Sequence, residues 1–356
     1  MARASPFFYD SKDASRSTLH RRITPSDDQY DEQQTRWNEL AEFIMPFLAE
    51  SSGYSVKSWL QGSYKFGTQV RPVGAVSEFD IDLGIYYCWA GEPFDGCFTP
   101  KTLKNMVQDS LREFLAKSDD AVEVLDPPKE RCCRIRFSGG FHIDVPCYHL
   151  DEERDARSLT TESDVWEESD PKAIYKWFTS QFDDYPRSRV RRLVRYVKAW
   201  AALKFSDDRD RPASVLLTVL VAEAVSSLGG GLPGPEDEAL QVTLEKVFDR
   251  ASQGHTVKSP VDPNENLASR MSAEQWNMFT DKLRDFSEIA RAAVKSDSEI
   301  DACTLWSSSF EHLFPLPEPQ ALYEEAKLYP ALRTLPEVQV RAVSKDNSNL
   351  QYNGTN

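Results

Sequence analysis

The sequence has no long hydrophobic run, and this limits the classes of protein it can belong to. None of its apolar stretches approaches the roughly 18 residues that a membrane span requires. Its first residues, MARASPFFYDSKD, also lack the basic-then-apolar order of a signal peptide. We therefore expect a soluble, cytoplasmic protein that does not associate with a membrane.

Cysteine and positive charge are both scarce. The six cysteines include no CxxC pair of the kind that binds zinc, so we expect reduced thiols in the core. The net charge of -15 argues against a protein that wraps long nucleic acid non-specifically, and no stable nucleic-acid partner is expected. A local basic groove is still compatible with this composition.

The length and the order of the sequence patterns predict two closely packed lobes. A chain of 356 residues with 40% hydrophobic residues exceeds a comfortable single core. Strand patterns concentrate in the first half and helical patterns in the second. We predict an α+β fold in which residues 1–165 form a small mixed sheet with helices. Residues 166–336 are expected to form a mainly helical lobe, and residues 337–356 a flexible tail.

The boundaries of these elements follow from caps and breakers. A loosely ordered lead-in over residues 1–22 is expected to precede a long helix that starts at Ser26, is bent or ended near Pro46, and stops at Gly53. The acid-rich residues 151–170 are interpreted as a solvated connection. Strands are predicted at 56–60, 79–87, 121–125, 131–138 and 141–150. Further helices are predicted at 101–117, 171–182, 188–204, 213–228, 238–251 and 273–296.

Two carboxylates one residue apart dominate the run FDIDLGIYY. On a strand, Asp80 and Asp82 point to the same face because side chains alternate with a period of two. The apolar residues that alternate with them face the core: Phe79, Ile81, Leu83 and Ile85. Two acids held together are costly unless positive charge lies between them. We therefore predict a magnesium site, since Mg²⁺ takes carboxylate and phosphate oxygens, with Mn²⁺ as a possible substitute.

A third carboxylate occurs on a later strand. Asp144 lies 62 residues beyond Asp82 (144 minus 82), between Ile143 and Val145. A buried ionised carboxylate needs a partner, and three acids on neighbouring strands can share cations. Two metal ions about 3.5–4 Å apart would activate an attacking hydroxyl and stabilise the leaving oxygen of an in-line phosphoryl displacement.

A Gly-Ser pair upstream of these acids suits a bound phosphate. Gly62 lets the backbone approach an anion closely, and the Ser63 hydroxyl with nearby N–H groups can complete an anion cradle. Gln61, directly before them, is a further nucleotide-binding candidate.

The order of these motifs resembles the nucleotidyltransferase superfamily that includes DNA polymerase beta. The closer resemblance is to the cGAS/DncV-like nucleotidyltransferases (CD-NTases) of bacterial anti-phage (CBASS) systems. It covers roughly residues 23–332 and is carried by QGSYKFGTQVRP, FDIDLGIYY, IDVPCYHL, WEESDPKAIYKWF, RRLVRYVKAWAALKF and RPASVLLTVLVAEA. SPVDPNENLA is similar to a segment of oligoadenylate synthases.

The resemblance implies an activity and a role for each acid. It implies magnesium-dependent joining of nucleoside triphosphates into a cyclic di- or trinucleotide second messenger, with release of pyrophosphate. Asp80 and Asp82 would hold both metal ions and the incoming triphosphate. Asp144 would complete the site that activates the attacking ribose hydroxyl. Ser63 and the Gly62 backbone would grip the triphosphate.

The resemblance also implies two phosphate contacts from the helical lobe. A Lys on one helix and a Ser at the start of the next reach the phosphates in this family, and Lys198 and Ser214 fall at those places. Lys198 could instead serve solubility in a basic helix, and an N-cap after Pro212 would explain Ser214 equally well. The family often stacks a base on an aromatic residue next to that Ser. This chain has Val215 there, so base stacking must come from elsewhere.

Three further polar residues receive structural interpretations. His142 can share the face of Asp144, and we interpret it as a hydrogen-bonded structural residue rather than a ligand. Asp262 and Asn266, within SPVDPNENLA, are interpreted as turn and cap residues.

Two other functions remain open at this point. The same fold could support a template-independent polymerase that makes linear oligoadenylate or tails RNA, although the acidic charge counts against RNA tailing. A partner-gated nucleotide-binding signalling module is the second alternative. In related systems a regulatory or conjugating partner protein acts on the synthase. Conjugation through the tail is disfavoured here because Thr355 and Asn356 follow Gly354.

Overall fold

The computed structural model describes residues 3–73, 78–182, 184–205, 207–229 and 231–317. Residues 1–315 form one compact unit. The tail predicted at residues 337–356 lies outside the described residues. The division into two lobes near residue 165 stays a prediction, because the sheet and the helices that follow it belong to the same unit.

Strands and helices are numbered in chain order. The strands are β1 Ser55–Gln61, β2 Phe79–Cys88, β3 Ala121–Val124, β4 Cys133–Phe137, β5 Phe141–Val145, β6 Cys147–Asp151, β7 Ala156–Thr160 and β8 Trp166–Glu168. The helices are α1 Ser5–Phe8, α2 Leu19–Ile23, α3 Asp27–Ser52, α4 Gly62–Phe66, α5 Pro100–Leu115, α6 Pro171–Ser180, α7 Asp184–Lys204, α8 Ser214–Ser226, α9 Glu236–Ser252, α10 Ala273–Lys295 and α11 Glu299–Phe310. The predicted α+β class is therefore confirmed.

The strand that carries the paired acids lies inside a mixed sheet formed by all of these strands. β2 pairs antiparallel with β1 and parallel with β5 and β6. β4 and β3 extend the sheet beyond β5, whereas β7 and β8 extend it beyond β6. The predicted alternation along β2 is confirmed, because Phe79, Ile81, Leu83 and Ile85 are at most 5% exposed. One face of β2 therefore carries the acids and the other packs on α3 and α5.

The predicted strand at 141–150 is interrupted at Pro146. It forms β5 and β6 rather than one strand, because proline has no N–H to donate to a ladder. The register is nevertheless continuous. Phe79 pairs with Phe141 and Cys88 pairs with Leu150, an offset of 62 residues in each case (141 minus 79, 150 minus 88). The break therefore leaves Asp144 on the face that the alternation predicts.

The interpretation of residues 151–170 as a solvated connection was wrong. They include β7 and β8, and the side chain of Leu159 is only 4% exposed. The acids instead occupy turns and edges: Asp155 and Asp164 adopt positive φ values of 52° and 62°. Arg157 is buried and forms ion pairs with Asp155 and Asp170, so part of the acidic charge is compensated inside the fold.

The N-terminal prediction was also wrong in part. The expected lead-in over residues 1–22 contains α1 and most of α2, and the ring of Phe8 is fully buried. The long helix α3 begins as predicted, with a capping box between Ser26 and Gln29. It does not end at Pro46 but continues to Ser52, after which Gly53 adopts a left-handed conformation with φ 71°.

The remaining helices follow the predicted pattern with two omissions, the first of which is the short helix α4 at Gly62–Phe66. The five helices predicted after residue 170 correspond to α6 through α10. The helix α11, which Ser298 caps through the N–H of Asp301, was not predicted. Its buried residues Trp306 and Phe310 pack in the helical part of the unit. Within the described part of the chain, no helix is both long and apolar enough to cross a membrane. All six cysteines are free thiols. Cys133, Cys147 and Cys303 are buried as predicted, whereas Cys88 and Cys132 are half-buried and Cys97 is exposed.

Replacing Phe8 tests the packing of the N-terminal segment. Its ring centroid lies 4.8 Å from that of Trp306 and 5.3 Å from that of Tyr196. We expect Phe8→Ala to lower the free energy of unfolding by roughly 3–5 kcal/mol, because it opens a cavity among aromatic rings. Chemical denaturation measures this. Phe94→Ala, at a ring that is 80% exposed, is the control and should change little. Equal stability of the two variants would contradict the packing.

Candidate active site

Strand register lines up a row of polar side chains across the sheet. Asp82 on β2 lies beside Asp144 on β5 and beside Gln61 on β1. Arg134 on β4 lies beside Asp144 on its other side. Side chains of paired residues point to the same face of a sheet. The register of the strands therefore places four side chains in one row on the acidic face of the sheet: Gln61, Asp82, Asp144 and Arg134.

A second row lies one step along the sheet. Asp80 pairs with His142, whose Nε2 lies 2.9 Å from Asp80 Oδ1 and whose Nδ1 lies 2.9 Å from Glu78 Oε2. Contacts to two carboxylates agree with the structural interpretation of His142. The same ring is nevertheless close to the third acid: one ligand atom each from Asp80, His142 and Asp144 lie within 4.8 Å of one another. The His142 ring therefore borders any cation bound at Asp80 and Asp144.

The third acid is neutralised by two basic side chains. Arg134 Nη2 donates to Asp144 Oδ2 at 2.8 Å while its Nε donates to Oδ1, and Lys129 Nζ lies 3.1 Å from Oδ2. Burial by itself would raise the pKa of Asp144, but the hydrogen bonds and charge of Arg134, together with Lys129, hold it below its usual range. Sequence reasoning missed both cations. Arg134 could have been identified from the sequence, because a hairpin that turns at Gly139-Gly140 places Arg134 opposite Asp144.

The pKa of Asp82, the acid between Asp80 and Asp144, is shifted in the opposite direction from that of Asp144. Burial, followed by the charges of Asp80 and Asp144, raises the pKa of Asp82 well above its usual range, and the more distant Arg134 and Lys129 offset this only in part. Asp80, by contrast, is half exposed and reaches solvent. Among the described residues, no lysine or arginine forms an ion pair with Asp80 or Asp82. Hard carboxylate oxygens around such a deficit fit a divalent cation such as Mg²⁺, and Asp144 keeps lone pairs that a cation could share.

The backbone at residue 62 passes so close to the Asp82 carboxylate that it leaves no room for a side chain, which explains the glycine. Gly62 adopts φ 58°, and a Cβ atom at this position would lie 1.8 Å from Asp82 Oδ2. Gln61, just before it, is buried and held by two tyrosines: its Nε2 donates to the Tyr86 hydroxyl at 2.8 Å, and its Oε1 accepts from Tyr148 at 3.1 Å. The amide of Gln61 thus fixes the wall of the site rather than pointing freely into it.

The helical part contributes Lys198 and Ser214. Lys198 on α7 is buried, and its Nζ donates to Thr68 Oγ1 at 3.2 Å. Burial and the nearby charge of Arg195 lower the pKa of Lys198 to about 7, although Asp82 and Asp80 oppose the shift. Ser214 is the first residue of α8, and Ala213 occupies the N-cap position. The N-cap explanation of Ser214 was therefore wrong, and its exposed hydroxyl is available to a ligand.

All eight predicted site residues line one cavity of about 840 Å³: Gln61, Gly62, Ser63, Asp80, Asp82, Asp144, Lys198 and Ser214. This volume suits a bound small molecule. Three cations that the sequence did not single out line the same cavity, namely Lys129, Arg131 and Arg270. The structure thus brings the predicted residues together, while the role of each one stays a prediction.

Comparison with known proteins identifies the part of the chain that supplies the strands of this cavity as similar to a domain of known type. Residues 56–148 match the family model described as "Cyclic GMP-AMP synthase DncV-like, nucleotidyltransferase domain". This range contains six of the eight predicted residues, whereas Lys198 and Ser214 lie outside it.

Curated relatives match over much more of the chain. A cyclic GMP-AMP synthase from Escherichia albertii is 28% identical over 337 residues, which are 94% of this chain and 72% of the relative. A c-di-GMP synthase from Roseivirga ehrenbergii is 27% identical over 269 residues, which are 66% of this chain and 68% of the relative. A cyclic AMP-AMP-AMP synthase from an Acinetobacter species is 24% identical and matches over 75% of each chain.

Solved structures agree at the level of the fold. The chain is similar to the Vibrio cholerae DncV cyclic AMP-GMP synthase in complex with the linear intermediate pppA(3',5')pG, with a TM-score of 0.71 and 17% identity. The match covers 84% of this chain and 94% of that chain. Escherichia coli DncV bound to 3'-deoxy GTP gives a TM-score of 0.71 at 19% identity, with 87% and 97% covered.

Replacing Gly62 tests the approach of the chain to Asp82. In Gly62→Ala the new methyl group must displace the Asp82 carboxylate. Because misplacing a reacting group by about 1 Å costs roughly 100-fold, we expect pyrophosphate release from nucleoside triphosphates to fall by about that factor. Gly53→Ala is the matched control, since it has φ 71° but no atom within 4 Å of the added Cβ. If the two variants kept equal activity, the close approach would not matter.

The lowered pKa of Lys198 predicts a pH dependence of triphosphate binding. With a pKa of about 7, the amine is charged below that pH and neutral above it. Affinity for a triphosphate should therefore fall as pH rises from 6 to 8. In Lys198→Arg this part of the pH dependence of affinity should disappear, because the guanidinium group stays charged over the whole pH range. The measurement is the Kd for the α,β-methylene analogue of ATP at both pH values. Titration of the ligand is common to both proteins, so identical profiles would contradict a phosphate contact by Lys198.

Proposed function

This chain is a nucleotidyltransferase of the cGAS/DncV-like family, and on that premise we propose that it joins nucleoside triphosphates into a cyclic di- or trinucleotide. The observation that carries the proposal is the convergence of Asp80, Asp82 and Asp144 with Ser63, Lys198 and Ser214 on one cavity. Relatives named as synthases of cyclic dinucleotides and of a cyclic trinucleotide support the product class. The cavity volume leaves room for nucleotide substrates.

The reaction is an in-line displacement at the α-phosphorus of a nucleoside triphosphate. A ribose hydroxyl of one nucleotide forms the new P–O bond and loses its proton, while the bond from the α-phosphorus to the bridging oxygen breaks and pyrophosphate leaves. A repeat of the step within the linear intermediate closes the ring. The protein contributes by positioning the reactants and by electrostatic stabilisation.

The three acids would hold the divalent cations, Mg²⁺ or, as a substitute, Mn²⁺. Asp80 and Asp82 are the first choice, because no lysine or arginine among the described residues forms an ion pair with either carboxylate. Asp144 would complete the set of ligands at the attacking hydroxyl. When bound, the cations stabilise the charge that develops on the phosphate oxygens. We propose this two-metal arrangement on the chemistry of the ligands and on the raised pKa of Asp82.

The chain's own cations would act on the phosphates. Lys198, charged when a triphosphate is bound, would neutralise the leaving pyrophosphate together with the hydroxyl groups of Ser63 and Ser214. Arg134 and Lys129 would keep Asp144 ionised and fixed in orientation. The motif resemblance is the ground on which we assign the product to anti-phage signalling in the cytoplasm, where a regulatory or conjugating partner protein would act on the enzyme.

Incubation with labelled nucleoside triphosphates and Mg²⁺ tests the proposal. The expected result is a product that resists phosphatase, and its mass identifies the bases and the ring size. The double variant Asp80→Ala/Asp82→Ala should reduce product by at least 1,000-fold, because removal of both carboxylates abolishes the cation site. The control is Asp281→Ala/Asp285→Ala, at two acids of α10 that are each 65% exposed.

Three outcomes would contradict the proposal. Product from the Asp80/Asp82 double variant would mean that the site is wrong. A product that loses its label to phosphatase would favour a template-independent polymerase. Nucleotide binding without any product would favour a partner-gated signalling module.

A further inference from the structure

The part of the cavity lining that the structure describes offers no free aromatic surface to a nucleobase. Among the described residues that line the cavity, the aromatic side chains are Phe66 and Tyr148, which are 8% and 3% exposed. Phe66 packs on Tyr175 and Phe178. Tyr148 stacks on Tyr86 with ring centroids 4.9 Å apart. Proteins commonly hold a base by stacking it on a planar side chain, so another group must supply that surface.

The start of α8 offers only half of such a binding surface. Val215, next to Ser214, lines the cavity and is 37% exposed. An exposed valine gives a base an apolar contact but no planar partner. The opposite side of the base therefore needs a second residue that lines the same cavity.

Arg270 is exposed and lines this cavity. The other basic residues in the lining have partners: Lys129 pairs with Asp144, Arg131 Nη2 lies 2.6 Å from Glu167 Oε2, and Lys198 donates to Thr68. Arg270 forms no ion pair or side-chain hydrogen bond with any residue that the structure describes. Its guanidinium plane is therefore available to a ligand.

The loop before Arg270 is rigidly built. Asn266 Oδ1 accepts from the N–H groups of Val257 and Ala268, and its Nδ2 donates to the His255 carbonyl. Asp262 accepts from the N–H of Asn264, so both residues act as turn residues, as predicted. These bonds span SPVDPNENLA, the segment to which the active site has so far given no role.

The far end of the loop is held equally firmly. Met271 N–H donates to the Ala268 carbonyl at 3.0 Å, and Ser272 caps α10 through a capping box. Gln275 in the first turn of α10 bonds to Arg209 and Asp210. The backbone at Arg270 is thus fixed on both sides, which reduces the entropy lost when its side chain orders on a ligand.

We propose that Arg270 binds a nucleobase, its guanidinium stacking on the base of one bound nucleoside triphosphate that Val215 contacts from the other side. The proposal rests on the proposed function, since it assigns a base contact to that same site. A guanidinium is planar, weakly hydrated and stacks on aromatic faces. We assign Arg270 to the base because, under the proposed function, Lys198 and Ser63 would contact the triphosphate. Arg270 thereby replaces the aromatic residue that is missing at Val215.

Binding of unreactive ligands tests the assignment without turnover. The ligands are the α,β-methylene analogues of ATP and GTP, and inorganic tripolyphosphate, which has no base. Arg270→Ala should weaken binding of at least one analogue by roughly 5- to 100-fold, the range that loss of one stacking partner gives. Tripolyphosphate binding should change less than twofold. Arg270→Lys, which keeps the charge but loses the plane, should behave like Arg270→Ala.

A second-site variant separates stacking from structural damage. Arg270→Ala/Val215→Tyr restores a planar surface at α8 and should recover most of the lost affinity. Arg284→Ala, at an exposed arginine of α10, is the matched control and should bind both analogues like the wild type. The melting temperature of Arg270→Ala should equal that of the wild type, because the side chain has no partner to lose.

The outcomes distinguish this inference from the proposed function. Unchanged affinity of Arg270→Ala for both analogues overturns the inference, as does an equal loss of tripolyphosphate binding, which would mark a phosphate contact. Either result leaves the proposed function intact if the wild type still forms a cyclic product. A wild type that binds neither analogue and forms no product overturns both.

Discussion

Repulsion among three carboxylates is the constraint to which the rest of the site responds. Strand register holds Asp82 beside Asp144 and one row from Asp80, so the acids cannot move apart without breaking the sheet. Two unit charges 4 Å apart repel by about 4 kcal/mol at the effective dielectric of a protein surface. A fold that keeps such a cluster must supply counter-charge or raise the pKa of one acid.

The structure does both, and it does so unevenly. Asp144 forms ion pairs with Arg134 and Lys129 and stays ionised, while Asp80 contacts His142 and is exposed to solvent. Asp82 lies between them and has no ion-pair partner among the described residues, and burial, followed by the charges of Asp80 and Asp144, raises its pKa. The need for a cation is therefore greatest at the centre of the β2–β5 pair.

The segment after α4 links the helical part of the unit to these strands. Gln69 donates to the Asp80 carbonyl, and its own carbonyl accepts from Arg195 on α7. Thr68, next to it, accepts from Lys198 one turn further along α7. One helix thus positions Lys198 at the cavity and contacts the backbone that supports β2. The N-terminal segment contacts the same helix, where Tyr196 donates to the Phe8 carbonyl.

The sequence by itself determined the features that depend on local periodicity. Alternation along β2 identified the acidic face, and Ser26 and Gly53 marked the ends of α3. The sequence could not determine features whose partners lie far away along the chain. Phe8 looked like part of a loose lead-in because Trp306, which buries it, lies about 300 positions later. Residues 151–170 looked solvated because acids in turns and acids in a linker have the same composition.

The same distinction between local and distant information applies to the residues of the candidate active site. Asp80, Asp82, Asp144 and Ser63 could be named as candidates from short motifs, and the structure places all four in the lining of one cavity. Only the tertiary structure decided that Lys129 reaches Asp144 and that Arg270 and Val215 line one cavity. The physical reason is that a motif records which groups the chemistry needs, whereas charge compensation and base contact depend on which distant side chains the fold brings within a few ångströms.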